Sequence, residues 1–306
     1  MKNYDIIGDI HGYADKLENL LQKLGYVITD GVYSHPEQRK VIFLGDFIDF
    51  GPNIRETLHI VKNMCDADKA MAIMGNHEFN AIGYHTYDEN SKEYFRPHND
   101  KKNIKQHKET IAQFNDYPEE FAMFLDWFKS LPFFLEFDDF RVVHACWHDE
   151  YINWFKSHYK GISLDFLKEA TDKENKPIAF HAVECILKGP EYKLPDGYNF
   201  ADVNGDLRKE SRIKWWINQN DFKNFGEIIM NCPEKLVNEK IPENELYFYE
   251  GRKPVFFGHY KLNNNSPKIE NSSAVCLDYR VLKGGDLVAY RINNSKVMVN
   301  DEQLVC

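Results

Sequence analysis

Five short motifs, each placed directly after a strand-like apolar run, constrain the fold of this chain more than any other feature of its sequence. The apolar runs cover residues 4–7, 41–44, 70–74, 140–143 and 255–257. The motifs at their ends read GDIHG at 8–12, GDFID at 45–49, GNHE at 75–78, VHA at 143–145 and GHY at 258–260. Because aspartate and histidine are costly to bury unpaired, five such strand ends predict one shared site that gathers oxygen and nitrogen ligands.

The first ~80 residues alternate strand-like and helix-like stretches. Leu17, Leu20 and Leu21 recur at helical spacing between the first two strands, and Gly25 closes that helix. The run at 41–44 is apolar throughout, as in a strand covered on both faces. This order predicts parallel βαβ units, in which ligands bind at the carboxyl ends of the strands, where the motifs lie.

Residues 147–250 interrupt this alternation and are rich in charged and aromatic side chains. We interpret them as a helical insertion that caps the site, within a single domain covering residues 1–306. The helix candidates in this segment are 149–159, 163–170, 179–187 and 208–218. The sheet must resume after the insertion, because the run at 255–257 delivers another histidine.

Composition narrows the classes of partner. The chain of 306 residues is 43% apolar, enough for a substantial core, and its formal charge of −10 argues against broad binding to nucleic acid or to anionic membranes. None of the six cysteines forms a Cys-x-x-Cys pair, and no apolar run is long enough to span a bilayer, so we expect a cytoplasmic protein with reduced thiols. An acidic protein that handles an anionic substrate needs local positive charge, which divalent metals supply.

The motif residues have the chemistry of a two-metal site. Asp9 and His11 stand two residues apart at a strand end, so both side chains can point the same way. One carboxylate beside one imidazole suits Mn²⁺, our first choice, or Fe or Zn²⁺ better than Ca²⁺. Asp46 offers two oxygens that could bridge two ions. The neutral ligands that would complete a second site are Asn76, His144 and His259. Two ions ~3.5–4 Å apart can deprotonate a bridging water and clamp the oxygens of an in-line phosphoryl displacement.

A separate acid is also present. His77 follows Asn76 and points elsewhere if Asn76 binds metal, so it is free to act as general acid on a leaving oxygen. Asp49 could accept the other ring proton of His77 and stabilise the imidazolium.

The motif series resembles that of the calcineurin-like metallophosphoesterases, in the same order and across nearly the whole chain. The likeness is closest to the branch with the PPP-type Ser/Thr phosphatases, the bacteriophage-type phosphatases and the symmetrical diadenosine tetraphosphate hydrolases. It implies an α/β fold of the four-layer α+β type, in which two mixed β-sheets pack face to face between helices. We therefore expect two mixed sheets in place of the single parallel sheet that the βαβ units alone would suggest. The ligands that this likeness implies are Asp9, His11 and Asp46 for the first metal, and Asp46, Asn76, His144 and His259 for the second, with His77 and Asp49 as the acid pair.

One position departs from the family pattern. The second motif usually reads Gly-Asp-x-x-Asp-Arg-Gly, and Phe50 stands here in place of the arginine that would bind phosphoryl oxygens bidentately. The loss leaves the metal chemistry intact and weakens the assignment of a phosphoprotein substrate most. Lys188, Arg208 and Arg212 of the insertion are candidate replacements, the last two being four apart on one predicted helix face. The adjacent tryptophans 215–216 could stack a base, although core packing is the commoner role of such residues.

The remaining histidines are weaker candidates. His148 stands four residues after His144, but His144 ends a strand, so helical geometry does not bring the two together. We expect His148 not to bind metal, and we expect the others, His107 among them, at the surface or in loops.

The leading hypothesis is a metal-dependent phosphoric ester hydrolase in which a metal-bridging hydroxide attacks phosphorus and His77 protonates the leaving group. Nucleotides or dinucleoside polyphosphates rank first as substrates, ahead of phosphoproteins and of nucleic-acid ends. One alternative is a Ser/Thr protein phosphatase. An alternative of another class is a non-catalytic binding module on the same fold, for which only Phe50 argues.

Overall fold

The computed structural model describes residues 3–201, 205–218, 221–240, 246–262, 267–293, 297 and 299–306. The strands are β1 (Tyr4–Ile7), β2 (Val27–Thr29), β3 (Val32–Ser34), β4 (Lys40–Phe43), β5 (Ala70–Ala72), β6 (Tyr87–Asp88), β7 (Glu93–Tyr94), β8 (Phe134–Glu136), β9 (Arg141–Val143), β10 (Glu191–Lys193), β11 (Phe200–Ala201), β12 (Leu207–Arg208), β13 (Glu210–Arg212), β14 (Val255–Phe257), β15 (Ala274–Cys276), β16 (Ala289–Ile292) and β17 (Leu304–Val305). The α-helices are α1 (Ala14–Lys23), α2 (Ile54–Asp66), α3 (Asn76–His85), α4 (Lys101–Phe114), α5 (Pro118–Ser130), α6 (Asp149–His158), α7 (Leu164–Thr171), α8 (Pro177–Lys188) and α9 (Phe225–Ile228).

The first sheet has the strand order β17-β16-β1-β4-β5. Strands β1, β4 and β5 run parallel, with α1 and α2 connecting them, so the predicted βαβ units are confirmed. The C-terminal strands β16 and β17 add to the other edge in antiparallel pairing. The sheet is therefore mixed. Strand β1 is buried along its whole length because it lies between two neighbours.

The second sheet has the order β15-β14-β9-β8 and is also mixed, since β9, β14 and β15 are parallel and β8 is antiparallel to β9. Aromatic contacts join the facing surfaces of the two sheets. The ring of Phe256 in β14 lies 4.7 Å from that of Tyr290 in β16, and Tyr4 in β1 lies 5.7 Å from Phe140. Two mixed sheets packed face to face are the arrangement that the family likeness implied, and the structure confirms it.

The segment 147–250, of which residues 202–204, 219–220 and 241–245 lie outside the described part, contains α6, α7 and α8 where helices were predicted. The prediction of a helix over 208–218 was wrong. Residues 207–212 form β12 and β13 instead, and Ser211 pairs with Tyr192 of β10. Ser211 is buried while Glu210 and Arg212 are half-buried, which is the period of two of a strand. Pairing with a distant segment therefore overrode the local helical spacing.

The tryptophan pair 215–216 belongs to the core. Both residues are buried, the Trp215 indole N–H donates to the Ala145 carbonyl at 2.9 Å, and both rings pack on Phe257. No helix among the described residues is long and apolar enough to cross a membrane.

Candidate active site

The predicted site residues lie at the carboxyl ends of β1, β4, β9 and β14 and at the start of α3. His11, Asp46, Asp49 and His259 have φ values of 52°, 56°, 89° and 68°, in the left-handed region that residues other than glycine rarely adopt. Such backbone strain concentrates at functional sites, where the surrounding structure enforces it.

Close packing explains two of the motif glycines. A Cβ atom at Gly258 would lie 2.0 Å from Asp9 Oδ1, and one at Gly75 would lie 2.4 Å from Asp46 Oδ1. Neither position has room for a side chain, because each backbone passes directly over a carboxylate.

Asp46 stands at the centre of the cluster. Its Oδ2 lies 3.7 Å from His11 Nε2 and 3.8 Å from His77 Nε2, while its Oδ1 lies 3.4 Å from His144 Nε2. Asp46 thus belongs to two groups whose ligand atoms lie within 4.8 Å of one another and could each hold a metal ion. These groups are His11, Asp46 and His77, and Asp46, His144 and His259. The His144 Nε2 atom also lies 3.1 Å from Asn76 Oδ1.

Backbone carbonyls orient two of the imidazoles. His11 Nδ1 lies 3.1 Å from the Ile48 carbonyl, and His144 Nδ1 lies 2.7 Å from the Leu44 carbonyl. A protonated Nδ1 leaves the Nε2 lone pair of each ring directed at the cluster. This second hydrogen bond is the usual way in which proteins fix a metal-binding histidine.

Several buried polar atoms of the cluster have no hydrogen-bond partner within the part of the chain that the structure describes. They are Asp9 Oδ1, His11 Nε2 and both ring nitrogens of His259. An unpaired buried acceptor is destabilising, and a bound cation would satisfy these atoms together. The donor set of carboxylate, amide and imidazole groups therefore fits a pair of divalent metals.

The carboxylates and imidazoles perturb one another. Burial raises the pKa of Asp9 well above its usual value, and Asp278 and Asp46 raise it further. Burial opposes ionisation of Asp46 too, but His144 and then His77 outweigh it and hold its pKa well below the usual value. Asp9 would consequently ionise readily only beside a cation.

The predicted acid pair forms a hydrogen-bonded chain. His77 Nδ1 lies 2.6 Å from Asp49 Oδ2, and Asp49 Oδ1 meets both His107 Nδ1 at 2.6 Å and the Thr110 hydroxyl at 2.8 Å. The expectation that His107 lies at the surface was wrong, because it is buried on the inner face of α4. The lysines of α4 are exposed, whereas Asn103, His107 and Thr110 recur at its buried positions. The helical spacing of these polar residues could have indicated, from the sequence, that they share one face of α4.

Glu78 is a further residue that the sequence reasoning missed. It is fully buried and accepts hydrogen bonds from the backbone N–H groups of Asp46 at 2.8 Å, Phe47 at 2.7 Å and Gly75 at 3.1 Å. Burial, reinforced by Asp46, raises the pKa of Glu78 to about 7. Glu78 therefore holds the loop that carries Asp46 against the start of α3.

Phe50 occupies the position of the missing arginine at the mouth of the cluster. Its ring lies 5.2 Å from the rings of both His11 and His77, and 38% of its surface is exposed. An aromatic ring therefore stands where the family pattern has a cation.

The three candidate cations of the segment 147–250 differ in position. Arg208 pairs with Glu191 at 3.6 Å, and Lys188 pairs with Glu184. Arg212 has a buried Nε that finds no hydrogen-bond partner in the described ranges, and its charge, after the larger effect of burial, lowers the pKa of His259. Of the three, the structure brings Arg212 within electrostatic reach of the cluster.

Two other residues complete the surroundings. Lys261, which the sequence reasoning did not consider, contributes to the lowered pKa of His11 after burial and His77. His148 does not belong to either metal-binding group. Its ring stacks between those of Tyr151 and Tyr247, with centroids at 4.2 and 4.1 Å.

Known relatives match parts of this chain. Asymmetrical bis(5'-nucleosyl)-tetraphosphatase PrpE of Halalkalibacterium halodurans is 43% identical over 74 residues, which are 24% of this chain and 30% of the relative. The Bacillus subtilis protein of the same name has the same identity over the same length. The chain thus covers less than a third of these relatives.

Two solved structures share the fold over nearly the whole chain. The cold-active protein-tyrosine phosphatase of a Shewanella species aligns with a TM-score of 0.51 and 15% identity, covering 96% of this chain and 76% of its own. A protein serine/threonine phosphatase from Saccharomyces cerevisiae aligns with a TM-score of 0.51 and 14% identity, covering 99% and 78%. At this identity the likeness concerns the fold alone.

The family model described as calcineurin-like phosphoesterase matches residues 3–207, more than half of the chain. The match includes four of the five motif loops, and the fifth, with His259, joins them in the structure. The chain therefore belongs to the calcineurin-like phosphoesterases, which are phosphoric ester hydrolases that use divalent metals.

Proposed function

We propose that this protein hydrolyses a phosphate anhydride or ester of a small nucleotide, with dinucleoside polyphosphates as the leading substrate class. The observation that carries the proposal is the position of Asp46. One of its oxygens faces His11 and His77, and the other faces His144. A carboxylate shared in this way between two groups of ligands is suited to hold two ions at once.

The proposed metal ligands are the buried residues gathered around Asp46, and Asp9, His11 and His259 among them have side-chain atoms without a hydrogen-bond partner among the described residues. Asp9, His11 and Asp46 would hold the first ion, and Asp46, Asn76, His144 and His259 the second. Bound there, two divalent ions would polarise the phosphoryl oxygens and activate water for attack at phosphorus. The mixed oxygen and nitrogen donors favour Mn²⁺, with Fe or Zn²⁺ as alternatives.

His77 holds the proton that the leaving oxygen needs. Its Nδ1 is engaged by Asp49, so a protonated Nε2 is the atom free to donate. Asp49 keeps the ring in this orientation and stabilises its positive charge, while His107 and Thr110 fix the Asp49 carboxylate. His77 also lies within reach of Asp46, but its place in the Asp49 chain favours the role of an acid over that of a ligand.

The choice of a nucleotide rests on two observations. Relatives that are 43% identical to this chain over 74 residues carry the name bis(5'-nucleosyl)-tetraphosphatase. Phe50 also stands in place of the arginine that would bind a single phosphoryl group. A substrate with several phosphates should bind more tightly than one with a single phosphate, because other cations of the protein can bind the additional phosphates. Of the three candidate cations, Arg212 is the one whose charge acts on the cluster, through His259. We propose that the segment 147–250 caps the site and contributes Arg212 to it.

A substrate panel with metal-loaded protein tests this proposal. Protein reconstituted with Mn²⁺, Zn²⁺ or Fe²⁺ is assayed with p-nitrophenyl phosphate, ATP, diadenosine tetraphosphate and a phosphoserine peptide. We expect hydrolysis that chelation with EDTA abolishes, with the highest kcat/KM for diadenosine tetraphosphate. Asp46→Asn serves as the inactive control because it removes the shared carboxylate charge.

Two outcomes would overturn the proposal. A phosphopeptide cleaved with higher kcat/KM than diadenosine tetraphosphate would identify a Ser/Thr protein phosphatase, the alternative drawn from the sequence. A protein that binds metal but cleaves no phosphate ester or anhydride would contradict the hydrolytic mechanism itself.

A further inference from the structure

A cavity of about 180 Å³ lies between the helix that carries Asn76 and His77 and the helices of the segment 147–250. Its walls come from α3, α7, α8 and the residues after β7. Phe79, Phe95 and Phe180 give it aromatic surfaces, and Arg96 and Lys188 give it cations. A second cavity of about 270 Å³ shares Phe180, Glu184 and Lys188 with it.

Among the described residues, Arg96 forms no ion pair, although Glu184, Asp49 and Asp100 are near enough to act on its charge. Its guanidinium donates to Asn80 Oδ1 at 2.9 Å and to Gln106 Oε1 at 3.1 Å, both uncharged acceptors. Arg96 is half-buried, and this burial lowers its pKa from the usual value. A partly desolvated guanidinium whose hydrogen-bond partners are neutral amides keeps N–H groups for an anion, and Glu184 of the same cavity is paired with Lys188.

The cavity adjoins the proposed acid His77 through Gln106. Gln106, which accepts a hydrogen bond from Arg96, has its Nε2 at 3.1 Å from His77 Nδ1 and at 3.5 Å from His77 Nε2, the nitrogen that donates in the proposed reaction. Asn80, the other acceptor for Arg96, follows Asn76 by one helical turn on the same face of α3. Because the general acid donates to the departing oxygen, the group that departs must lie beside His77.

We propose that this cavity binds the leaving nucleotide, with Arg96 taking the phosphate that departs and the aromatic walls taking the base. The inference rests on the proposed function and adds a subsite to it. A planar guanidinium binds two phosphate oxygens at once, and aromatic side chains stack on the face of a base. Arg96 then supplies, from the leaving-group side, part of the positive charge that Phe50 does not.

The test compares two substrates that differ in their leaving group. The leaving group of diadenosine tetraphosphate is a nucleotide, and that of p-nitrophenyl phosphate is a phenolate without phosphate. In the full-length Mn²⁺-loaded protein, we expect Arg96→Gln to lower kcat/KM for the dinucleotide ~10–100-fold more than for the phenyl ester, chiefly through KM. Arg96→Lys should recover part of the lost kcat/KM, since lysine keeps the positive charge but lacks the planar guanidinium that binds two phosphate oxygens.

Two further variants isolate the cavity from its cation. Thr171 lines the cavity and is exposed at the end of α7, so Thr171→Trp should obstruct the cavity without disturbing the core and should raise KM for the dinucleotide selectively. Arg252 is an exposed arginine just before β14, at the end of that strand opposite to His259. Arg252→Gln, the matched loss of one charge, should leave the ratio of the two kcat/KM values as in the wild type.

Direct binding keeps this inference separable from the proposed function. We expect ADP to bind the Mn²⁺-loaded wild type in calorimetry and to bind Arg96→Gln at least ~10-fold more weakly. Equal ADP affinity for both proteins would overturn the subsite, whichever substrate the enzyme cleaves. An equal loss for both substrates would also overturn it, because Arg96 would then act only by positioning Gln106 and His77. Failure of the wild type to cleave the dinucleotide would count against the proposed substrate instead.

Discussion

His77 Nδ1 lies 2.6 Å from Asp49 Oδ2, a contact between residues 28 positions apart that fixes which nitrogen of the imidazole faces the metal-binding cluster. Asp49 is buried, adopts a φ of 89°, and accepts hydrogen bonds from His107 and Thr110 through its other oxygen. A strained carboxylate fixed by three partners is a means of orienting a proton donor. The same arrangement makes the acid role of His77 testable apart from metal binding.

Replacing His77 by glutamine should remove the acid while keeping a polar side chain of similar reach. We expect kcat for diadenosine tetraphosphate to fall ~10²–10⁴-fold, because the leaving oxygen must then depart unprotonated. Measured metal content should stay near that of the wild type, since in our proposal His77 is not a ligand. A variant that loses one equivalent of metal would contradict the acid role and favour ligation, which the closeness of His77 Nε2 to Asp46 allows.

Replacing Asp49 by asparagine should shift the pH dependence of turnover. Burial disfavours the charged imidazolium, but Asp46 and then Asp49 outweigh burial and raise the pKa of His77. An acid works only while protonated, so activity is lost as the pH rises through this raised pKa. Asp49→Asn removes one of the two negative charges, which lowers the pKa of His77 and moves the alkaline limb of the pH–kcat profile to lower pH. An alkaline limb that stays in place would show that another group controls it.

Much of the fold follows from local patterns. The apolar runs at 4–7 and 255–257 coincide with β1 and β14, and the helical spacing of Leu17, Leu20 and Leu21 lies within α1. The antiparallel return of β16 onto β1 does not follow from such patterns, because its hydrogen bonds join residues almost 290 positions apart. The strands β12 and β13 were missed for the same reason, since their partners β11 and β10 decide their conformation.

The site shows the same division. Motif residues could be proposed as ligands because aspartate, asparagine and histidine at strand ends have little structural reason to be buried. Residues that position another functional residue cannot be recognised by such a pattern in a single sequence. Glu78, His107 and Thr110 bind motif residues through contacts that span 31 to 61 positions, and only the folded chain brings them together.

Glu78 should be important for stability as well as for the position of Asp46. Glu78→Gln replaces an acceptor of three backbone N–H groups with an amide, one end of which can only donate. We expect the free energy of unfolding, measured in urea, to fall by ~1–3 kcal/mol, because at least one buried N–H group loses its partner. Glu119→Gln, at an exposed position in the first turn of α5, is the matched control and should change stability little. Equal stability of the two variants would show that this hydrogen-bonded turn is dispensable.

Introducing an arginine at position 50 should test how much phosphate binding the enzyme loses by having Phe50 there. The Phe50 ring lies 5.2 Å from His11 and His77 and is 38% exposed, so Phe50→Arg removes little core packing and places a guanidinium at the mouth of the cluster. We expect KM for p-nitrophenyl phosphate to fall ~10-fold, since this substrate has one phosphoryl group and depends most on the lost clamp. The gain for diadenosine tetraphosphate should be smaller, because in our proposal Arg96 and Arg212 bind its other phosphates. Phe50→Leu removes the ring without adding charge, and a similar fall in KM for that variant would mean that steric relief, and not phosphate binding, explains the gain.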